Sequence, residues 1–125
     1  MPSRTYDNLL LLKDAGAITV DAGGTVAAVA RIIDVGDAHM DGVAVVDIGA
    51  LDTVNGTYVL RVQGSTTIGF GTPVELAARA ITATGRTEIP FNNETNGLYY
   101  RYIRCFNDVS GATPSINGTV FIGKP

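Results

Sequence analysis

The feature that most constrains this chain is its hydrophobic period, which is two rather than 3.6. Short apolar runs alternate with polar residues and stop at turn dipeptides, the pattern of pleated strands with one face buried. In residues 57–63, Tyr58, Leu60 and Val62 point one way while Thr57, Arg61 and Gln63 point the other. Thr87, Ile89 and Phe91 alternate with Arg86, Glu88 and Pro90. Val74, Leu76, Ala78 and Ala80 alternate with Glu75 and Arg79. Alanine would also suit a helix there, but Pro73 and the clean alternation favour a strand. Residues 43–48 are apolar on both faces except at Asp47, which predicts a central strand. Pro90 lacks an amide donor, so its strand belongs at a sheet edge or beside a bulge.

Turn chemistry sets the boundaries. Asp41-Gly42, Asn55-Gly56, Asn96-Gly97 and Asn117-Gly118 tolerate the positive φ of tight turns. Glycine, 15 of 125 residues, exceeds the roughly 7% average because it punctuates these turns. Seven strands follow, at 30–35, 43–48, 57–63, 74–81, 86–91, 98–106 and 119–122. Residues 17–20 and 25–29 predict a further strand or hairpin around the turn at Asp21-Ala22-Gly23-Gly24. Ser3 or Asp7 can cap a short helix, and Leu9, Leu10, Leu11 and Leu12 continue it or form an arm. About eight antiparallel strands in two sheets make an all-β jelly-roll sandwich. Residues 1–125 read as a single domain, with 1–16 as an N-terminal arm or first element.

Composition excludes several functions. No apolar run exceeds five residues, far short of the ~20 needed to cross a bilayer, and no secretory start precedes the Leu9–Leu12 run. One cysteine makes no internal disulfide, and Cys105 with His39 are too few for structural zinc. Nine Lys plus Arg against twelve Asp plus Glu supply no basic stripe for nucleic acid.

Chemistry-bearing residues are sparse. A Ser-His-Asp or Cys-His pair would have to use His39, which sits in turn-rich sequence and reads as a solvated loop residue. Cys105 lies in an apolar strand and reads as packing. Asp34, Asp37 and Asp41 are the nearest approach to a cation site, but their spacing misses the EF-hand pattern and suits turns. Glu75, Glu88 and Glu94 do not pair by sequence as glycosidase acids. Gly23-Gly24 and Gly69-Phe70-Gly71 are turn glycines, not a phosphate cradle. The Asn-x-Thr triplets at Asn55, Asn93 and Asn117 coincide with turns. No cofactor is expected.

The aromatic run at 98–106 is more distinctive. Strict alternation places Tyr100, Tyr102, Arg104 and Phe106 on one face and Tyr99, Arg101, Ile103 and Cys105 on the other. Tyr and Arg are enriched at protein contacts, which makes Tyr99 and Arg101 candidate interface residues. Tyr6, Leu9, Leu10, Leu11 and Leu12 join them if the N-terminal tract is an arm. The competing reading packs those leucines on the protein's own core.

Several strings carry a resemblance: SRTYDNLLLLKDAGAITVDAG, ARIIDVGDAHMDGVAVVDI, YVLRVQGSTTIGFG, GRTEIPFNNETNGLYYRYIRCFNDVSG and NGTVFIGK. Over nearly its whole length the chain resembles small capsid cement, or decoration, proteins of tailed bacteriophages. The resemblance implies a jelly-roll virion protein on the outer capsid surface, assembled in the host cytoplasm. Its partners would be the major capsid protein and itself, as a homodimer or trimer, with neither nucleic acid nor membrane. It implies no enzymatic activity. A carbohydrate-binding jelly-roll module is the alternative, resting on the Tyr/Arg strand.

Overall fold

The structure is a computed structural model and describes residues 11–26, 29–36, 39–95 and 97–123. These residues form short strands β1 (Leu11–Lys13), β2 (Ala17–Ile18), β3 (Ala22–Gly23), β4 (Thr25–Val26), β5 (Val29–Ala30) and β6 (Ile33–Asp34). Longer strands follow: β7 (Asp41–Leu51), β8 (Thr57–Ser65), β9 (Val74–Ile81) and β10 (Gly85–Asn92). After a small hairpin of β11 (Glu94–Thr95) and β12 (Leu98–Tyr99) come β13 (Tyr102–Ser110) and β14 (Ile116–Gly123).

One sheet has the order β1-β14-β7-β10, with β2 also pairing β14; the other has β3-β13-β8-β9, with β6 also pairing β13. All pairings are antiparallel. Taking β1 with β2, and β3 with β6, as interrupted edge strands leaves eight strands in two four-stranded sheets. Apart from the β8–β9 hairpin, successive strands of these eight pass between the sheets in the double Greek-key order of a jelly roll. The all-β expectation and the two-sheet sandwich therefore hold.

Alternation places the core between the sheets. β7 contributes Ala44, Val46 and Ile48, β8 contributes Tyr58, Leu60 and Val62, and β10 contributes Ile89 and Phe91. Ile103 and Cys105 of β13 and Val120 and Ile122 of β14 complete the layer. Burying each large aliphatic side chain contributes about 1.5–3 kcal/mol before chain entropy is charged. The central position of β7 and the edge position of β10 with its Pro90 match expectation. At the far end the Tyr58 hydroxyl donates to the Asp52 carbonyl (2.6 Å) and accepts from the Ser115 amide (2.8 Å), tying two loops together.

Three expectations need correction. Among the described residues no hairpin joins 17–20 to 25–29: β2 pairs β14 in one sheet, β3 pairs β13 in the other, and β4 pairs β5. Side chains of β9 change phase at a bulge, because Val62 pairs Ala77 while Gln63 pairs Glu75. One extra residue at Leu76 flips the faces beyond it, so Ala78 and Ala80 are exposed while Ile81 is buried. The 98–106 run is two elements rather than one strand, since Tyr100 and Arg101 break it.

Leu11 and Leu12 are buried, at 3% and 0% exposure. They sit in β1, paired to β14, so this part of the N-terminal tract is a first strand of the sandwich. Leu12 faces the main core, while Leu11 joins Val43, Val45 and Phe121 in a smaller apolar cluster. Register shifts between Leu11 and Lys13, and Lys13 is buried as well. Its ammonium donates to the carbonyls of Asp14 (2.9 Å), Gly16 (3.0 Å) and Gly118 (2.7 Å). Three donors thus meet three acceptors, as a buried cation requires. Tyr6, Leu9, Leu10 and the helix cap at Ser3 or Asp7 lie outside the described residues.

Candidate functional site

The end of the sandwich where β7 starts and β10 finishes gathers most of the chain's chemistry. Its organiser is Asn93, which is fully buried. The Asn93 side-chain carbonyl accepts from the Met40 amide (2.8 Å), and its side-chain amide donates to the Tyr100 carbonyl (3.2 Å). Its backbone amide donates to the Met40 carbonyl (3.2 Å), and its carbonyl accepts from the Tyr100 amide (2.7 Å). One residue thereby fixes the loop before β7 and both sides of the β11–β12 hairpin. Asn is suited to this because its amide carries both donors and acceptors.

The hairpin displays Leu98 and Tyr99, exposed at 57% and 44%. The His39 ring meets the Tyr99 ring edge-on, with centroids 6.2 Å apart. His39 Nε2 lies 2.9 Å from Asp41 Oδ1, and Nδ1 lies 3.4 Å from Glu94 Oε1. Arg101 makes a two-pronged pair with Asp34, Nε to Oδ1 and Nη2 to Oδ2, both at 2.9 Å. That pair, with the Gly36 amide bonded to the same carboxylate, holds the Asp34 acid below its ordinary pKa. The Arg101 guanidinium also lies 5.5 Å from the Tyr102 ring centroid.

Of the sequence candidates, Tyr99 and Arg101 share this end, and both are exposed. Leu11 and Leu12 are within the protein instead. Tyr100 departs from its expected face: it is buried against Gly64, while Tyr102, Arg104 and Phe106 are half-buried. The irregular backbone at Tyr100 and Arg101 resets the alternation, which holds again from Tyr102 onward. His39 reads from sequence as a solvated loop residue and Glu94 as an unpaired acid, and spacing contains no signal that a loop and a hairpin 55 positions apart would meet.

Asp34 and Asp41 each have another partner, Arg101 and His39 respectively, while Asp37 lies outside the described residues. Among the described residues no group of three or more His, Cys, Asp or Glu is arranged to hold a metal. Cys105 is fully buried, and burial pushes its thiol up to about 12. Glu75 is paired with Arg61, which also reaches Asp108 (2.9 Å). Inside the sandwich a void of about 10 Å³ remains between Lys13, Asn107 and aliphatic side chains, the size of roughly one water. No described helix is long and apolar enough to cross a membrane.

What this end can do chemically is bind: one exposed apolar side chain, one exposed ring and several fixed charges stand on a rigid base. Comparison with known proteins adds no family to this picture, since no family model and no curated protein matches the chain.

Proposed function

We propose that this protein is a non-enzymatic capsid cement protein that binds the outside of a major-capsid-protein lattice and bridges neighbouring subunits. The observation that carries the reading is the β11–β12 hairpin, where Leu98 and Tyr99 project from a base fixed by buried Asn93. A contact that is already ordered loses little entropy on docking. The resemblance of the sequence strings to phage decoration proteins supplies the lattice as partner. Repetition over a symmetric shell adds avidity to each modest contact, and binding that favours the assembled lattice stabilises it by mass action. Self-association as a dimer or trimer at symmetry positions, and a place on the outer virion surface, belong to the same reading.

The test adds purified protein to undecorated, expanded phage capsids. Stoichiometric binding with increased heat resistance of the shells is expected. Leu98→Ala and Tyr99→Ala should each weaken binding by roughly tenfold or more, the usual scale of an aromatic or apolar anchor. Wild-type protein that decorates no shell would sink the proposal.

Carbohydrate binding is the second reading, favoured by the half-exposed Tyr99 ring beside Asp41, His39 and Glu94. Glycan-array binding that falls in Tyr99→Ala or Tyr102→Ala would support it. A silent array with an intact fold would remove it.

A further inference from the structure

Next to that end, the outer face of the β3-β13-β8-β9 sheet holds an arginine in an unusual setting. Its guanidinium carbon lies 4.5 Å from the Phe70 ring centroid and 5.6 Å from that of Phe106. Arg104 Nε donates to Gln63 Oε1 at 2.8 Å. Two rings and one amide therefore fix a side chain that is otherwise among the most mobile. Neither terminal nitrogen, Nη1 or Nη2, has a hydrogen-bond partner among the described residues.

The backbone is distorted to build this arrangement. Phe70 is buried and adopts φ 50°, the left-handed region that a bulky side chain rarely enters. Glycines at 69 and 71 flank it, so the turn had sites where positive φ is easy, and the aromatic residue takes it instead. Strain at a defined position is a reason to look for a function there. Partial burial also lowers the Arg104 pKa below its ordinary value. Arg61, on the neighbouring strand, shows the contrast: it holds two carboxylates of its own, Glu75 and Asp108. Arg104 holds none.

We propose that Arg104 is a prearranged anchor for a carboxylate side chain of a partner protein docked on this sheet face. The two free terminal nitrogens form the fork that matches a carboxylate in bidentate fashion. Tyr102 and Phe106 flank the fork on the same strand and are half-buried, so a docked surface would complete their burial. Arginine and aromatic side chains together are the usual composition of energetic centres in protein interfaces. Arg104 lies on the outer face of a sheet among half-buried side chains, and such a face suits an acidic residue on a broad partner better than a small free anion. The inference rests on the reading that this protein docks on another protein, and it adds a second contact region and the charge of its counterpart.

The first measurement is NMR of the arginine side-chain N–H groups during titration with a hexaglutamate peptide. Arg104 should shift saturably, while Arg86, half-exposed on the opposite sheet, should shift little. Arg104 moving no more than Arg86 overturns the proposal, and so does inorganic phosphate shifting Arg104 as strongly as the peptide. The second measurement is decoration of expanded capsids. Arg104→Lys keeps the charge but loses the fork, and should weaken decoration by roughly 30-fold with an unchanged melting temperature. Phe70→Leu, which keeps an apolar side chain but removes the stacking face, should weaken it in the same direction. Shells decorated equally well by wild type and both variants overturn the proposal. If wild type decorates no shell, the cement reading falls by itself and the peptide titration decides the role of Arg104.

Discussion

Gly24 illustrates how tightly single atoms are placed. A Cβ there would lie 2.3 Å from the Leu12 carbonyl oxygen and 2.5 Å from Cys105 Sγ. The Gly24 amide donates to the Cys105 carbonyl at 3.0 Å, so the backbone cannot retreat without losing that bond. Gly24→Ala should lower stability by about 1–3 kcal/mol, the usual range for overpacking, read as a shifted denaturant midpoint. Gly49→Ala, where a Cβ meets nothing within 4 Å, should have no comparable effect. Cys105 adds a pH dependence. The unfolded thiol ionises near its ordinary 9.0, whereas the folded one keeps its proton to about 12. Between those values the unfolded chain binds fewer protons, so stability falls as pH rises. Cys105→Ala should show a shallower alkaline loss in urea titrations run from pH 8 to 11. At neutral pH the wild-type thiol should ignore alkylating reagents until the protein unfolds.

Strand edges show how the elements avoid pairing with strangers. Exposed edges invite association, and charges, prolines, bulges and short length oppose it. The three-residue β1 and the interrupted β3 and β6 are short edges. β9 carries the bulge at Leu76, and β10 carries Pro90. Pro90→Thr restores an amide donor to β10 and should increase self-association in sedimentation runs at high concentration. Unchanged sedimentation would show that the remaining side chains of β10 protect the edge on their own. The Asn93 hub belongs to this scale too, because it joins a loop to a hairpin. Asn93→Ala leaves the Met40 amide and the Tyr100 carbonyl without their side-chain partner, at about 1–3 kcal/mol for buried groups. The variant should also lose the His39–Tyr99 ring contact, visible in side-chain NMR.

Across the whole molecule, the local pattern was easy to read and the long-range pattern was not. Tyr58, Leu60 and Val62, or Ile89 and Phe91, alternate because the pleat repeats every two residues, and that signal lies within each strand. The bulge at Leu76 shifts phase through pairing with β8, which no window inside β9 contains. Lys13 breaks the pattern for a related reason: one of its carbonyl partners is Gly118, 105 residues later. The end that carries the Asn93 hub is the extreme case, since Asp34, His39, Glu94, Tyr99 and Arg101 come together there only after two sheets have closed. Phe70 and Arg104 likewise meet across a loop whose conformation the glycine pair only hints at.

The position of β14 also bears on how the chain is made. It lies between β1 and β7, so the first described strand finds its sheet partner in the last. On a ribosome, β1 emerges long before its partner and must wait with Leu11 and Leu12 uncovered. Non-local pairing of this kind slows folding and leaves apolar segments open to aggregation meanwhile. Production in cells should therefore depend on chaperone supply and temperature more steeply than the native stability alone would suggest.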